Sequence, residues 1–351
     1  MWKILVFFFF PPPPALGLSS VQTRTTKAKP PVCVVGATGY IGRHVVQECV
    51  RRGYPTTAVV RKETESSFFQ GAEIVVADPT KPLTLDYEAV ICCLASRSGS
   101  KADSLLVDYE ASTNCLRAAE ARGAHFVLLS AFCVAKPQLQ FQFAKLKTEQ
   151  AIRDSTATWS IVRPTAFFKS VSGQVEIVRD GGPFVYFDLG GRSATCNPIA
   201  ESDLAKALVD CVSDPSRKNQ IWNVGGPGDG ISMRDQGKLI AEAIAEVEGT
   251  PRKDPWLLGV PILVFDVILG ALDALAKLYP SKFEDVAEFG RIGRYYAVED
   301  MLTTDDAERY GTITLKDHYK NVAQYGQEYD PYTTLFGAKP KKPSSSSSSS
   351  S

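Results

Sequence analysis

Histidine is scarce, charge of a prevailing sign is absent, and no cysteines stand at metal-binding spacing. Each shortage removes a class of function. The three histidines, His44, His125 and His318, are scattered, which argues against a histidine-based catalytic or metal cluster. Basic and acidic side chains number 39 each, so the chain carries no electrostatic footprint for nucleic acid. None of the eight cysteines, at 33, 49, 92, 93, 115, 133, 196 and 211, forms C-x-x-C. They read as small buried hydrophobes in a reducing compartment, and no disulfide, metal or iron–sulfur site is expected. No acidic residue precedes Glu48, and the apolar run Ile4–Phe10 is too short to span a bilayer.

What is present begins at Val32. The stretch Val32-Cys33-Val34-Val35 is apolar and rich in β-branched residues, and it runs into Gly36, Gly39 and Gly42 at G-x-x-G-x-x-G spacing. Ile41, Val45, Val46, Cys49 and Val50 then share one helix face, with Gly53 placed to cap the end. Strand, tight turn and helix in this register predict a dinucleotide site. Glycines admit the pyrophosphate to the backbone, and the helix N-terminus offers free N–H groups. Gly36, Thr38, Gly39, Tyr40, Ile41 and Gly42 are the candidate phosphate-binding residues.

Residues 1–30 read as a leader, basic and apolar at first, then acid-free and rich in hydroxyls; the two halves suggest a bipartite plastid-targeting segment. The alternative is a start that is merely disordered. From residue 31 strands and helices alternate regularly, which predicts an α/β fold, a Rossmann-type doubly wound parallel sheet. A second strand, 56–60, ends at Arg61. A base there accommodates a 2′-phosphate, so Arg61 argues for NADP unless it is an ordinary surface arginine. Asp78, after the third strand, is placed to contact adenine or to form a turn before Pro79. Leu94, Ala95 and Ser96 follow a fourth strand and leave room for cofactor. A long helix is expected from about 102 to 122, a fifth strand over 126–130, and a sixth over 158–162 leading to Pro164.

Further on the pattern loosens into a smaller C-terminal substrate-binding region. Paired glycines at 181–182 and 190–191 suggest a hairpin built on 184–187. Residues 256–279 are largely apolar but carry Asp266 and Asp273, seven apart on one face. They read as a partly buried amphipathic helix, with docking on a membrane surface as the other option. Arg291 and Arg294, among aromatics, could hold a carboxylate on a flat conjugated ligand or form surface ion pairs. The tail from 336, Lys/Pro and then serines, reads as disordered.

Several stretches resemble a known family. They include Val35–Arg43, Cys93–Arg97, His125–Ala131, Ala144–Lys147, Ser160–Ser170, Gly173–Val178, Gly225–Gly228 and Ala287–Ala297. Together they resemble the NADPH-dependent divinyl chlorophyllide 8-vinyl reductases of plants and algae, atypical short-chain dehydrogenases. Related short-chain dehydrogenases carry Tyr-x-x-x-Lys on the helix after the fifth strand; here Phe141 stands in the tyrosine's place and Lys145 is kept. The family resemblance implies that Phe-x-x-x-Lys is a working pattern, with Lys145 catalytic and also on the nicotinamide ribose. It also implies a plastid enzyme of chlorophyll synthesis that uses NADPH on a tetrapyrrole. Phe141, Phe167, Phe168, Arg291 and Arg294 are the candidate substrate residues, within a substrate part mainly at 165–200 and 225–335. The competing class is a non-catalytic NADP-binding regulator or scaffold, which the missing tyrosine also suits. Composition and spacing alone reach an NADP-binding, reductase-like α/β protein.

Overall fold

The computed structural model describes residues 29–64, 67–251, 253–305 and 308–327. Residues 1–28 of the expected leader and the whole of the tail expected from 336 lie outside the described residues. Seven strands form one sheet: β1 (Val32–Val35), β2 (Thr56–Val60), β3 (Glu73–Val76), β4 (Ala89–Cys92), β5 (His125–Leu129), β6 (Trp159–Pro164) and β9 (Gln220–Val224). Their order is β3-β2-β1-β4-β5-β6-β9, and every pairing is parallel. The order reverses between β1 and β4, which opens a crevice at their carboxyl ends, where α/β sheets take ligands.

Both sheet faces are covered, so β1 is buried throughout and its residues divide between two cores by the pleat of the strand. Val32 and Val34 join the core under α1 (Tyr40–Arg51) and α6 (Glu201–Ser213), while Cys33 and Val35 join the opposite core. That second core is closed by α3 (Ser112–Arg122) and α4 (Gln140–Asp154), which supply Leu116 and Ile152. All eight cysteines are free and buried.

The helix expected over 102–122 is not uniform. A single turn, α2 (Lys101–Asp103), passes into a π-helical segment, Ser104–Ala111, before α3. The wider winding is held from outside: Ser112 Oγ donates to Val107 O at 3.1 Å, and Thr148 Oγ1 on α4 donates to Asp108 O at 2.6 Å. Such bulges gather at functional sites, and this one turns Asp108 toward the cleft lysine described below.

Two readings of the C-terminal region are corrected. The segment at 184–187 is not a hairpin. β7 (Phe184–Asp188) pairs in parallel with β11 (Leu257–Pro261), matching Phe184 to Leu257. The glycines turn the chain as expected, but alternation within a strand says nothing about which distant segment will pair with it. The stretch at 256–279 is correspondingly a strand followed by a helix. Beyond Pro261, α8 (Ile262–Leu278) packs antiparallel on α9 (Pro280–Val298), and its two aspartates face inward. Asp266 meets Arg294 at 2.5 Å and Asp273 meets Arg291 at 2.5 Å, while Leu263 (69%), Val267 (67%) and Ile268 (55%) stand exposed. Among the described residues no helix is long and apolar enough to cross a membrane. A third core joins α5 (Val175–Arg179), α7 (Met233–Glu248) and α10 (Leu315–Tyr325) around Phe184, Ile240 and Tyr319.

Candidate active site

The turn from β1 to α1 fits a dinucleotide for steric reasons that can be read atom by atom. Gly36 has φ +79°, and a Cβ there would lie 2.8 Å from the carbonyl carbon and oxygen of Cys93. Only glycine lets this turn pass the end of β4. A Cβ on Gly42 would sit 2.2 Å from Gly36 O, so the helix packs against its own turn. Gly39 caps α1 in an extended conformation. The first-turn N–H groups of Tyr40, Ile41 and Gly42 have no partner within the helix and lie at its positive end. With half-buried Thr38 beside them, they form a cradle that suits a pyrophosphate. Tyr40 is anchored at the rim. Its Oη donates to Glu201, and the Lys169 ammonium lies 4.6 Å from its ring centre.

At the adenosine end, Arg61 is exposed one residue beyond β2. Asp78 Oδ1 accepts from Thr80 N at 3.0 Å and Thr80 Oγ1 at 2.8 Å, so this oxygen closes its own turn. Arg43, next to the last glycine, is a second cation here that sequence reading passed over. Its guanidinium lies 5.1 Å from the Tyr40 ring and 4.7 Å from Phe68, which follows β2.

The nicotinamide end is built from β4, β5, β6 and α4. Leu94, Ala95 and Ser96 leave β4, and Ser96 N approaches Asp108 Oδ2 at 3.4 Å. Lys145 reaches in from α4, its Nζ 3.0 Å from Asp108 Oδ1, with both side chains buried. Burial alone would lower the lysine's pKa. The charge and hydrogen bond of Asp108 outweigh it, and the net shift is upward. Lys145 is therefore a fixed cation at neutral pH and not a poised proton donor. Ser130, at the carboxyl end of β5, donates to Glu149 Oε1 at 2.5 Å, and Arg163 Nε meets the same oxygen at 3.0 Å. Its proton is committed to that buried network. Pro164 closes β6 and is buried.

Phe141 lies one turn before Lys145 and packs among Cys133, Leu139, Ala166, Tyr295 and Ile292. Phe167 is half-buried against a different core, the one under α1 and α6. Phe168 points elsewhere: it is 1% exposed, with its ring 5.1 Å from that of His318. Arg291 and Arg294 are on α9, each already set against carboxylates. Arg291 meets Asp273, Glu284 and Glu288, and Arg294 meets Asp266. The structure thus joins Gly36–Gly42, Leu94–Ser96, Phe141, Lys145 and Pro164 around one crevice, while Phe168 is in the core and the two arginines bind α9 to α8.

The α8–α9 hairpin closes the nicotinamide end from above. Lys101 pairs with Glu284 at 2.7 Å, and a Cβ on Gly99 would meet Ile292 Cδ1 at 2.8 Å. Glu288, buried on α9, accepts from Gln140 N at the start of α4. Sequence reasoning assigned no role to Asp108, Glu149, Glu201 or Glu288. No local spacing marks them, since the partners that tie them into the site lie 14 to 161 positions away along the chain.

Phosphate cradle, switch-point crevice and a buried lysine at its far end define an NAD(P)H-binding protein of the short-chain dehydrogenase type. The NAD(P)H-binding family model matches residues 36–215. The E. coli NADPH-dependent quinone oxidoreductase QOR2, solved with NADPH, shares the fold at TM-score 0.59 and 16% identity, covering 83% of this chain and 99% of its own. The particular family follows from closer relatives: the chain belongs to the divinyl chlorophyllide a 8-vinyl-reductases. The chloroplastic rice (Oryza sativa subsp. indica) protein is 44% identical over 84% of this chain and 79% of its own length. The chloroplastic Arabidopsis thaliana protein is 42% identical over 88% and 82%.

Proposed function

We propose that this chain reduces the 8-vinyl group of divinyl chlorophyllide a to ethyl with hydride from NADPH, inside the plastid. The observation that carries the reading is the buried Lys145–Asp108 pair beneath α9, in a crevice whose neighbouring ring is Phe141. NADPH supplies the hydride when bound. Hydride on the terminal vinyl carbon leaves negative charge spread into the conjugated macrocycle, so no oxyanion forms at the reacting atom. A fixed cation and an apolar wall suit that charge better than the strong acid a carbonyl would need. Phe141 and Phe167 offer ring faces to the macrocycle, and Arg61 takes the 2′-phosphate. The substrate part is assigned to 165–200 and 225–335, and residues 1–30 to plastid targeting.

The test is direct. Purified protein, NADPH and divinyl chlorophyllide should give a blue-shifted Soret band with one NADPH oxidised per vinyl group lost. Protein that binds NADPH but oxidises none of it with the tetrapyrrole is a regulator or scaffold instead.

The outer face of α8 favours one further reading, peripheral contact with a plastid membrane. Leu263, Val264, Val267, Ile268, Leu275 and Leu278 are exposed, and the exposed charge among them is the cation Lys277, because Asp266 and Asp273 are spent on α9. Exposed Trp256 and Tyr279 bracket the segment in sequence, the residue types that settle at membrane interfaces.

A further inference from the structure

We propose that Tyr296, on α9, is the catalytic acid of this reduction and donates the proton that a phenyl ring at 141 cannot. The inference rests on the vinyl reduction proposed above. Hydride addition leaves an electron pair on the inner vinyl carbon; an O–H bond must break and a C–H bond form there to complete the ethyl group.

The protic groups near Lys145 can be taken in turn. Ser130 spends its proton on Glu149 at 2.5 Å. Lys145 is held by Asp108 at 3.0 Å. Tyr295 Oη donates to Cys133 O at 2.9 Å, with Lys136 O alongside at 3.0 Å. Those carbonyls belong to the short turn after β5, so Tyr295 pins the end of α9 onto the carboxyl edge of the sheet. Tyr296 is thereby fixed as well. Its ring stands edge-on to Tyr295 with centroids 5.6 Å apart, and its Oη lies 3.7 Å from Cys133 Sγ. That contact is a weak O–H···S bond, so the phenolic proton is not tied to a carboxylate or carbonyl as those of the other three are.

Position and protonation state agree. Cys133 packs in the same apolar cluster as Phe141, so the Tyr296 hydroxyl enters the neighbourhood where the tyrosine of related enzymes would place one. Burial raises this hydroxyl well above its ordinary value, and the Cys133 sulfur adds to the effect, so it is protonated at neutral pH. Lys145 is close enough for its charge to oppose the upward shift that burial gives the Cys133 thiol. The residue as a whole is 42% exposed, so the ring has an open side while its hydroxyl is turned in. Water entering the crevice once product has left returns the proton to the inward hydroxyl. The balance is one hydride and one proton added to the vinyl group, with NADPH leaving as NADP⁺ and the phenolate reprotonated by solvent.

Single-turnover reduction of divinyl chlorophyllide by wild type and Tyr296→Phe, in H₂O and in D₂O, tests this. Tyr296→Phe should slow vinyl reduction at least about tenfold to a hundredfold, the low end for general acid catalysis. Its solvent isotope effect should also rise, because protonation by water becomes limiting. NADPH Kd, read by nicotinamide fluorescence, and Tm should stay at wild-type values. A variant reducing the vinyl group at the wild-type rate overturns the assignment. So does a slower variant with the wild-type isotope effect, or one whose loss tracks a weakened NADPH Kd or a lowered Tm, since each marks a structural role. If wild type itself oxidises no NADPH with the tetrapyrrole, the proposed reaction fails first and the acid falls with it.

Discussion

Asp108 Oδ1 and Lys145 Nζ meet at 3.0 Å across the cleft, one from the π-helical segment and one from α4. The pair decides what Lys145 can do. Without Asp108, burial would push the ammonium's pKa down; with it, the charge persists well into the alkaline range. The folded-state pKa is raised, so the stabilisation is fully present below the lysine's unfolded value and is lost as pH rises through the folded one. Asp108→Asn should therefore move the alkaline limb of the pH–rate profile toward lower pH. Lys145→Ala should lower the single-turnover rate at every pH by at least about tenfold to a hundredfold. An unchanged alkaline limb in Asp108→Asn would separate the carboxylate from the lysine's function.

Cofactor choice rests on the exposed arginine past β2. If Arg61 meets the 2′-phosphate, Arg61→Ala should weaken NADPH by about 1.5–3 kcal/mol, the scale of a charged hydrogen bond, and leave NADH nearly unchanged. Fluorescence titration with both cofactors reads the difference. Equal losses would make Arg61 structural and shift attention to Arg43, which stacks over Tyr40 and Phe68 nearby.

Arg291 has three carboxylates around it, and one of them, Glu288, is buried. Removing the cation should cost about 1–3 kcal/mol, the penalty for leaving a buried polar group unmatched. Urea unfolding of Arg291→Ala should show that loss. Arg294→Ala, which strips a more exposed pair with Asp266, should lose less. A raised KM for chlorophyllide at unchanged stability in either variant would restore the reading of these arginines as carboxylate binders.

Acid should unfold the protein before its carboxylates are fully protonated. Burial, with Lys218 nearby, lowers His125 to about 4; its ring nitrogens lie 3.0 Å from Thr158 Oγ1 and 3.1 Å from Ser160 Oγ. Burial and Arg43 likewise lower His44 to about 4. A histidine held neutral when folded contributes stability above its unfolded value, near 6.5, and loses it as pH falls toward 4. For His125 the loss is on the order of 2–3 kcal/mol. Tm should drop steadily from pH 6.5 to 4, and less steeply in His125→Gln. Parallel curves for the two proteins would remove His125 as a cause.

Membrane contact through α8 predicts flotation with anionic, galactolipid-rich vesicles for wild type and not for a Leu263→Ser/Val267→Ser/Ile268→Ser variant. Activity on detergent-dispersed chlorophyllide should be equal in both. Gel filtration without lipid supplies the contrast, since a dimer there that the variant loses would make this face a contact between copies of the chain.

The parallel core of the sheet was legible in the sequence because its signals are local. β1 is a continuous apolar run since helices cover both faces of the sheet, and the three glycines are required by contacts within a few residues or one strand away. The second strand was placed residue for residue at 56–60 for the same reason. The pattern could not reach across the chain. Whether Phe184–Asp188 would pair with a near neighbour or with β11 depends on a crossover of some seventy residues, which alternation does not record. The two aspartates of α8 were seen to share a face, but whether that face would turn inward depended on Arg291 and Arg294 arriving from α9. Ion pairs satisfied on the inside leave the apolar side exposed. Phe141 and Lys145 were visible as a motif one helical turn apart. That the lysine is a locked cation was decided only when a π-helical segment, held open by Thr148 from α4, brought Asp108 within 3.0 Å of it.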